Sequence, residues 1–467
     1  MLKPPLLLTL VILFVADLTA QIDQEMLDAV KAEVVPVVEK ATGVDMGHIT
    51  IRFDEPGELA KLLSFELEAQ AKATKMSKAQ ARVLSRAMSK TLFGKFSWNT
   101  DEILICPRNF KWQAKILENP ELNDPGVLRA VLVHECIHAV DEHRFAWSKV
   151  IRSLTSADQL QAYNAVIEGH AQHQTARICK AQGWSKGFEI FTSNIGRLPP
   201  STDAASRLLS EVAAANQSAA YLDGRRFVAF LEKKLGDKGL ARAFKQPAAD
   251  FESVLNPAWY LDSSTRPVKL YEFQPALDGF SKKFEKDEWA DRFLTLSTPQ
   301  IKASMALLKG PDLDRLLGHL KHNRVVLLLD KKQPNHRQIT AGLFELDSPA
   351  EARFYALANT NLMKAKDLAM KSGRVQILSA DYTRLDSPEL RGYLAVKKVS
   401  VLDSVVVVST LVAAQGSVGI ELSFVNEMIS PEAIEAHARE LLAATRKTDT
   451  EVPAIKKPTP TKSKTGK

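Results

Sequence analysis

The chain is poor in the features that mark special classes of protein. Only 3 of its 467 residues are cysteine, too few for the disulfide framework of a small secreted domain. Its 21 glycines and 22 prolines follow no period, which excludes collagen-like and Pro/Gly low-complexity chains. No block of about 20 to 50 residues recurs, which excludes solenoids and propellers. Past residue 20 no apolar run is long enough to cross a bilayer; Val401–Val412 comes nearest, and its valine content reads as a buried strand. No recognisable nucleic-acid module is present. Charge of one sign is also scarce in the body of the chain. The formal charge is +7, but residues 446–467 hold seven Lys or Arg against two acids, so this tail carries five of those seven charges.

What is present describes an ordinary folding chain with two unusual ends. Hydrophobic residues make up 45% and charged residues 25%, enough apolar surface for two or three domains. The tail after Ala444, TRKTDTEVPAIKKPTPTKSKTGK, has almost nothing to bury. Its composition predicts disorder, with contact to an acidic surface as the functional alternative. At the other end, Lys3 precedes the apolar run Leu6–Ala16, and the small residue Ala20 precedes Gln21. This is the pattern of a signal peptide over residues 1–20, implying a secreted or periplasmic protein with no transmembrane span once the signal is removed. Cys136 reads as a buried free thiol, whereas Cys106 and Cys179 could pair.

Between the ends the texture changes once. Met26, Leu27, Val30, Val34, Val37 and Val38 recur at helical spacing, and residues 21–90 read as mostly helical. Ile49–Phe53 reads as a short strand, and Phe93–Phe110 as a hairpin turning at Asn99–Thr100–Asp101. Helical periods return from Asn123 to about Gly236. The loop-rich stretch Pro247–Pro267 offers a boundary. Beyond it, Val325–Asp330, Ile339–Leu346, Val375–Tyr382, Gly392–Val399 and Val405–Val412 read as strands. Ser348–Pro349 and Ser430–Pro431 each start a helix. The expected organisation is therefore α+β: a mainly helical domain with a small sheet over 21–265, a smaller α+β domain over 266–445, and a tail over 446–467.

Chemistry enters at His134–Glu135–Cys136–Ile137–His138, an HExxH motif. Residues four apart share a face of an α-helix, so both imidazoles can bind one Zn²⁺, while Glu135 stands beside the metal as a general base. Asp124 and Pro125 provide an N-cap and a first-turn residue, and Val127, Leu128, Val131, Leu132 and Val133 an apolar wall. A catalytic zinc needs a third protein ligand and one place for water. The metzincin pattern HExxHxxGxxH fails, because Asp141 and Arg144 stand where it requires Gly and His. His143, nine residues after His134, is about half a turn out of phase. Glu168, in the helical run Tyr163–Lys180, is the leading candidate, with Gly169 allowing a close helix approach. His170 and His173 compete for the same role, or serve substrate binding or proton transfer instead. Asp141 lies on the ligand face; it can orient a ligand imidazole or be a solvated helix acid.

HECIHAVDEHRF followed by AVIEGHA resembles the gluzincin branch of zinc metallopeptidases, the group with HExxH and a downstream Glu. It is particularly similar to secreted, largely uncharacterised bacterial members. YLDGRRFVAFL (221–231) and QPAADFESVLNPAWY (246–260) resemble further segments of such proteins, so the likeness spans about Phe93 to Leu261. It implies a zincin-like peptidase domain with zinc on His134, His138 and Glu168. Glu135 would act as general base and then as general acid toward the leaving amine of a peptide or protein substrate. Tyr221 and His170 are the candidate donors to the oxyanion. The strand Ile103–Cys106 would be an edge that aligns an extended peptide by β-augmentation. The chain departs from the thermolysin pattern in having Ile167 before Glu168 and Gln172 four residues after it. The alternatives from other classes are a non-catalytic protein that keeps the fold for binding, and a zinc hydrolase of cell-wall amides.

Overall fold

Alternation of apolar periods, first helical and then strand-like, becomes an α+β structure in which helices and antiparallel strands segregate along the chain. The computed structural model describes residues 22–447 except 56, 75, 196–218, 267–269, 285–286, 297–300, 302–304, 306–310, 333–336, 370–374 and 402–403. The expected signal peptide (1–20) lies outside the described residues, as does the expected tail from 448 onward. Among the described residues no helix is long and apolar enough to cross a membrane. The chain forms two compact units. One comprises Met1–Glu68, Lys78–Ser148 and His170–Pro199; the other comprises Ala69–Ser77, Lys149–Gly169 and Pro200–Lys467.

In the first unit, α1 (Gln24–Thr42) is capped by Asp23, whose side chain accepts the Met26 N–H, and buries Leu27, Val30, Val34 and Val38, the i, i+3, i+4 spacing of one helix face. It ends at Gly43, whose φ of 71° is the left-handed cap that glycine adopts without strain. A three-stranded sheet has the order β1-β3-β2, with β1 (Thr50–Phe53) parallel and β2 (Gly94–Ser97) antiparallel to β3 (Glu102–Ile105). The hairpin between β2 and β3 is the expected one. The expected edge strand is not: Ile103–Ile105 lies in the middle of the sheet, bonded on both sides. The segment read only as a short strand, Thr50–Phe53, takes its far edge, so β3 has no free ladder for a peptide to join. The edges are β1 and β2.

The second unit is built on a seven-stranded antiparallel sheet. Its strands are β4 (Trp289–Leu294), β5 (Leu320–Asp330), β6 (Gln338–Leu346), β7 (Val375–Ser387), β8 (Leu390–Val401), β9 (Ser404–Gln415) and β10 (Val418–Val425), in the order β4-β5-β6-β10-β9-β8-β7. Side chains alternate faces along a strand. Leu411 and Ala413 therefore join a core with Leu277, Phe280, Ile434 and Leu441, while Val412 and Ala414 join another with Ala352, Tyr355 and Leu362. Over residues 409–414 both faces of β9 are buried, whereas Val405 near its start is exposed. The expected starts at Pro349 and Pro431 are observed, and Ser430 accepts the Ala433 N–H as an N-cap.

Candidate metal centre

The HExxH residues lie in the middle of α2 (Pro125–Phe145), in the first unit. Asp124 caps this helix by accepting the Gly126 N–H at 2.6 Å, and Pro125 occupies its first turn. Every residue from Ala130 to Asp141 is buried, so α2 is a central helix enclosed on all sides. It lies against α1, β2 and α4 (Ser185–Asn194). Polar side chains on such a helix need partners or a guest.

His134 is 2% and His138 6% exposed. Their Nε2 atoms are 3.0 Å apart, with the rings nearly perpendicular at 88°. Two nitrogens on one tetrahedral zinc, each at about 2.0–2.1 Å, would sit about 3.3 Å apart. A separation of 3.0 Å also suits an imidazole N–H···N bond, so the nitrogen pair alone does not decide. The third donor carries the argument. Ligand atoms of His134, His138 and Glu168 all lie within 4.8 Å of one another, and Glu168 is only partly exposed. Two imidazoles and a carboxylate converging in this way could hold a metal ion. Among the described residues no other group of His, Cys, Asp and Glu could hold a metal.

Glu168 belongs to α3 (Ala157–Ala181). Gly169 does permit the expected close helix approach, and its partner is Gly224. A Cβ on Gly169 would lie 2.1 Å from the carbonyl carbon of Gly224, and one on Gly224 2.0 Å from the Ala165 oxygen. Backbone therefore touches backbone between α3 and α5 (Gly224–Leu235). The π-helical turn Ala219–Asp223, with Tyr221 half-buried in it, leads into that contact.

Glu135 is 7% exposed, and its Oε2 accepts the Phe96 N–H at 2.6 Å. Gly94 makes room for β2 on this helix: a Cβ there would come within 3.3 Å of Glu135 Cγ and 3.0 Å of Val131 Cγ1. Lys95 donates to the Phe96 carbonyl at 2.6 Å and pairs with Glu66 at 3.1 Å. Burial pushes the Glu66 carboxyl up from its ordinary range, Lys95 opposes this, and the Glu135 charge adds to the rise. Glu66 and Lys95 were not legible in the sequence, since nothing in ELAKLLSFELEA or FGKFSW signals proximity to the motif helix.

Asp141 fits neither of its expected roles. It is 0% exposed, and its Oδ2 accepts the His170 Nδ1–H at 2.6 Å, so it holds His170 rather than a ligand imidazole or water. His143 is exposed, as its phase requires, and its ring lies 5.7 Å from that of His48. His173 is half-buried. All three cysteines are free and buried, so the possible Cys106–Cys179 disulfide is not formed. Cys106 packs on Leu59 and Leu63 as a small hydrophobe. Burial raises every thiol, that of Cys179 to about 12, which makes them poor nucleophiles and ligands.

No protein-family model, curated protein or solved structure matches the chain.

Proposed function

We propose that the protein is an exported zinc metallopeptidase of gluzincin type with a zincin-like peptidase domain, hydrolysing peptide bonds of a peptide or protein substrate. The convergence of His134, His138 and Glu168 within 4.8 Å, beside the buried Glu135, carries this reading. In it the three residues hold Zn²⁺, which supplies Lewis acidity and an acidified water. Glu135 would serve there as general base toward the attacking water and then as general acid toward the leaving amine. Tyr221 is the donor proposed for the oxyanion; His170, whose Nδ1 Asp141 engages, is given a different part below. The aligning strand is β2 instead of β3. It is an edge strand, and a peptide laid along it would compete with Glu135 for the Phe96 N–H.

One observation favours a second reading, a non-catalytic protein of this fold. By accepting the Phe96 N–H, Glu135 has a structural partner, so its presence does not by itself imply catalysis. Zinc content and casein hydrolysis by wild type and Glu135→Ala separate the two. The peptidase reading expects one zinc in both proteins and about a 10²–10⁴-fold loss of hydrolysis in the variant. A wild type that holds zinc yet cleaves no casein and no cell-wall amide would support the binding reading, and a wild type that takes up no zinc would overturn the peptidase reading.

A further inference from the structure

The buried Asp141–His170 pair lies within a turn of the candidate ligands on both helices that carry them, and the metal reading gives it no task. On α2, His134, His138 and Asp141 lie within about 60° of one another around the helix axis, at about 100° per residue. On α3, Glu168 and His170 are about 160° apart by the shorter way round, which passes through Ile167 and Ala171. Ile167 is 4% and Ala171 0% exposed. Gly169 points the other way, onto Gly224. Glu168 and His170 are thus two arms on either flank of one buried face of α3. One arm reaches the two histidines of α2, and the other ends 2.6 Å from Asp141 of the same helix. A helix gripped on one flank can roll about its axis; a helix gripped on both cannot.

We infer that Asp141 and His170 are positioning residues for the metal centre, a clamp that fixes the roll of α3 against α2 and so places the Glu168 carboxylate before any ion arrives. The inference rests on the proposed metal site. Two facts suit a part specific to this pair. Asp141 is wholly buried, and its other oxygen, Oδ1, has no hydrogen-bond partner, so His170 is the side chain that holds it. A hydrogen bond of 2.6 Å between two buried side chains is short and directional.

Deleting one partner alone would leave a buried orphan, so the decisive variant replaces both, Asp141→Leu with His170→Phe, alongside the milder Asp141→Asn. Zinc affinity is measured on the full chain by chelator competition, the ligand field by the visible spectrum of the Co²⁺-loaded protein, and folding by circular dichroism. The expected order of affinity is wild type, then Asp141→Asn, then the double variant, the last weaker by about 10–100-fold, the range seen when groups supporting metal ligands are removed. The Co²⁺ spectrum should change with it. Wild-type affinity and an unchanged spectrum in a folded double variant would overturn the clamp while leaving the metal site intact. If the double variant does not fold, Asp141→Asn decides, and equal affinity there overturns the clamp. A wild type that binds neither Zn²⁺ nor Co²⁺ removes the metal site itself, and the clamp with it.

Discussion

Both units bury charged side chains, but they satisfy them differently. In the sheet-based unit two buried acids, Asp158 and Asp367, each meet an opposite charge and a hydroxyl donor. Asp158, 1% exposed, takes Arg324 at 2.7 Å, the Thr295 hydroxyl at 3.1 Å and the Phe251 N–H at 3.3 Å. Asp367 takes the Lys397 ammonium at 2.7 Å and the Tyr382 hydroxyl at 2.5 Å. These arrangements are complete, and a complete ion pair is an element of structure. On α2 the buried groups are two imidazoles turned on each other at 3.0 Å, with a carboxylate converging on them. Such a set could hold a cation. The difference separates polar burial that specifies a fold from polar burial that specifies a site.

Breaking a complete pair tests that contrast most severely. Arg324→Ala leaves the Asp158 carboxylate buried without its cation and should lower stability by about 3 kcal/mol, read from urea unfolding, with zinc stoichiometry unchanged in the folded fraction. A variant as stable as wild type would mean that the pair is not the structural element described. Gly224→Ala should have a smaller effect that crosses from fold to site. The added Cβ would meet the Ala165 oxygen at 2.0 Å, so α3 and α5 must separate, at about 1–3 kcal/mol. Because α3 carries Glu168, zinc affinity should fall too. Chelator competition and thermal melts read the two effects, and a silent substitution would remove the contact from the account.

The features legible in the sequence are those set by neighbouring residues. The cap at Asp124–Pro125, the helical phase that joins His134 to His138 and expels His143, the hairpin at Asn99–Asp101 and the cap at Ser430 depend on residues a few positions apart. The apolar strands Val325–Asp330 and Ile339–Leu346 were legible because they are largely buried on their sheet, whereas Val375–Tyr382, with Leu378 exposed, lies at its edge. The strand Trp289–Leu294 was not legible, since Asp291 and Arg292 interrupt its apolar run at an edge, and Val418–Val425 hid behind the tight turn at Gly416. What failed were properties conferred by distant segments. Ile103–Cys106 could not be seen as a central strand before Thr50–Phe53 was placed beside it. Nor could Asp141 be matched to His170, because both readings of it looked only along its own helix. Gly169 was rightly marked for close approach, but the partner, Gly224, lies on a segment that periodicity does not connect to it.

The smallest expected effect concerns Glu66, where the two kinds of burial meet: it has a cation in Lys95, yet feels the charge of Glu135. Its folded-state pKa is raised, chiefly by burial. A carboxyl with a raised folded pKa holds its proton longer in the native state than in the unfolded one. The native state therefore loses stability relative to the unfolded chain as pH rises from the unfolded value, about 4.3, through the folded one. Glu66→Gln keeps the shape and abolishes this titration. Lys95 is charged throughout the range, so the loss of its pairing shifts the variant's stability by a constant and leaves the pH trend to Glu66. Urea midpoints of metal-free protein between pH 4 and 7 should then show wild type declining against Glu66→Gln as pH rises. A difference that is flat, or that grows in favour of wild type, would place Glu66 among the fully paired acids of the other unit.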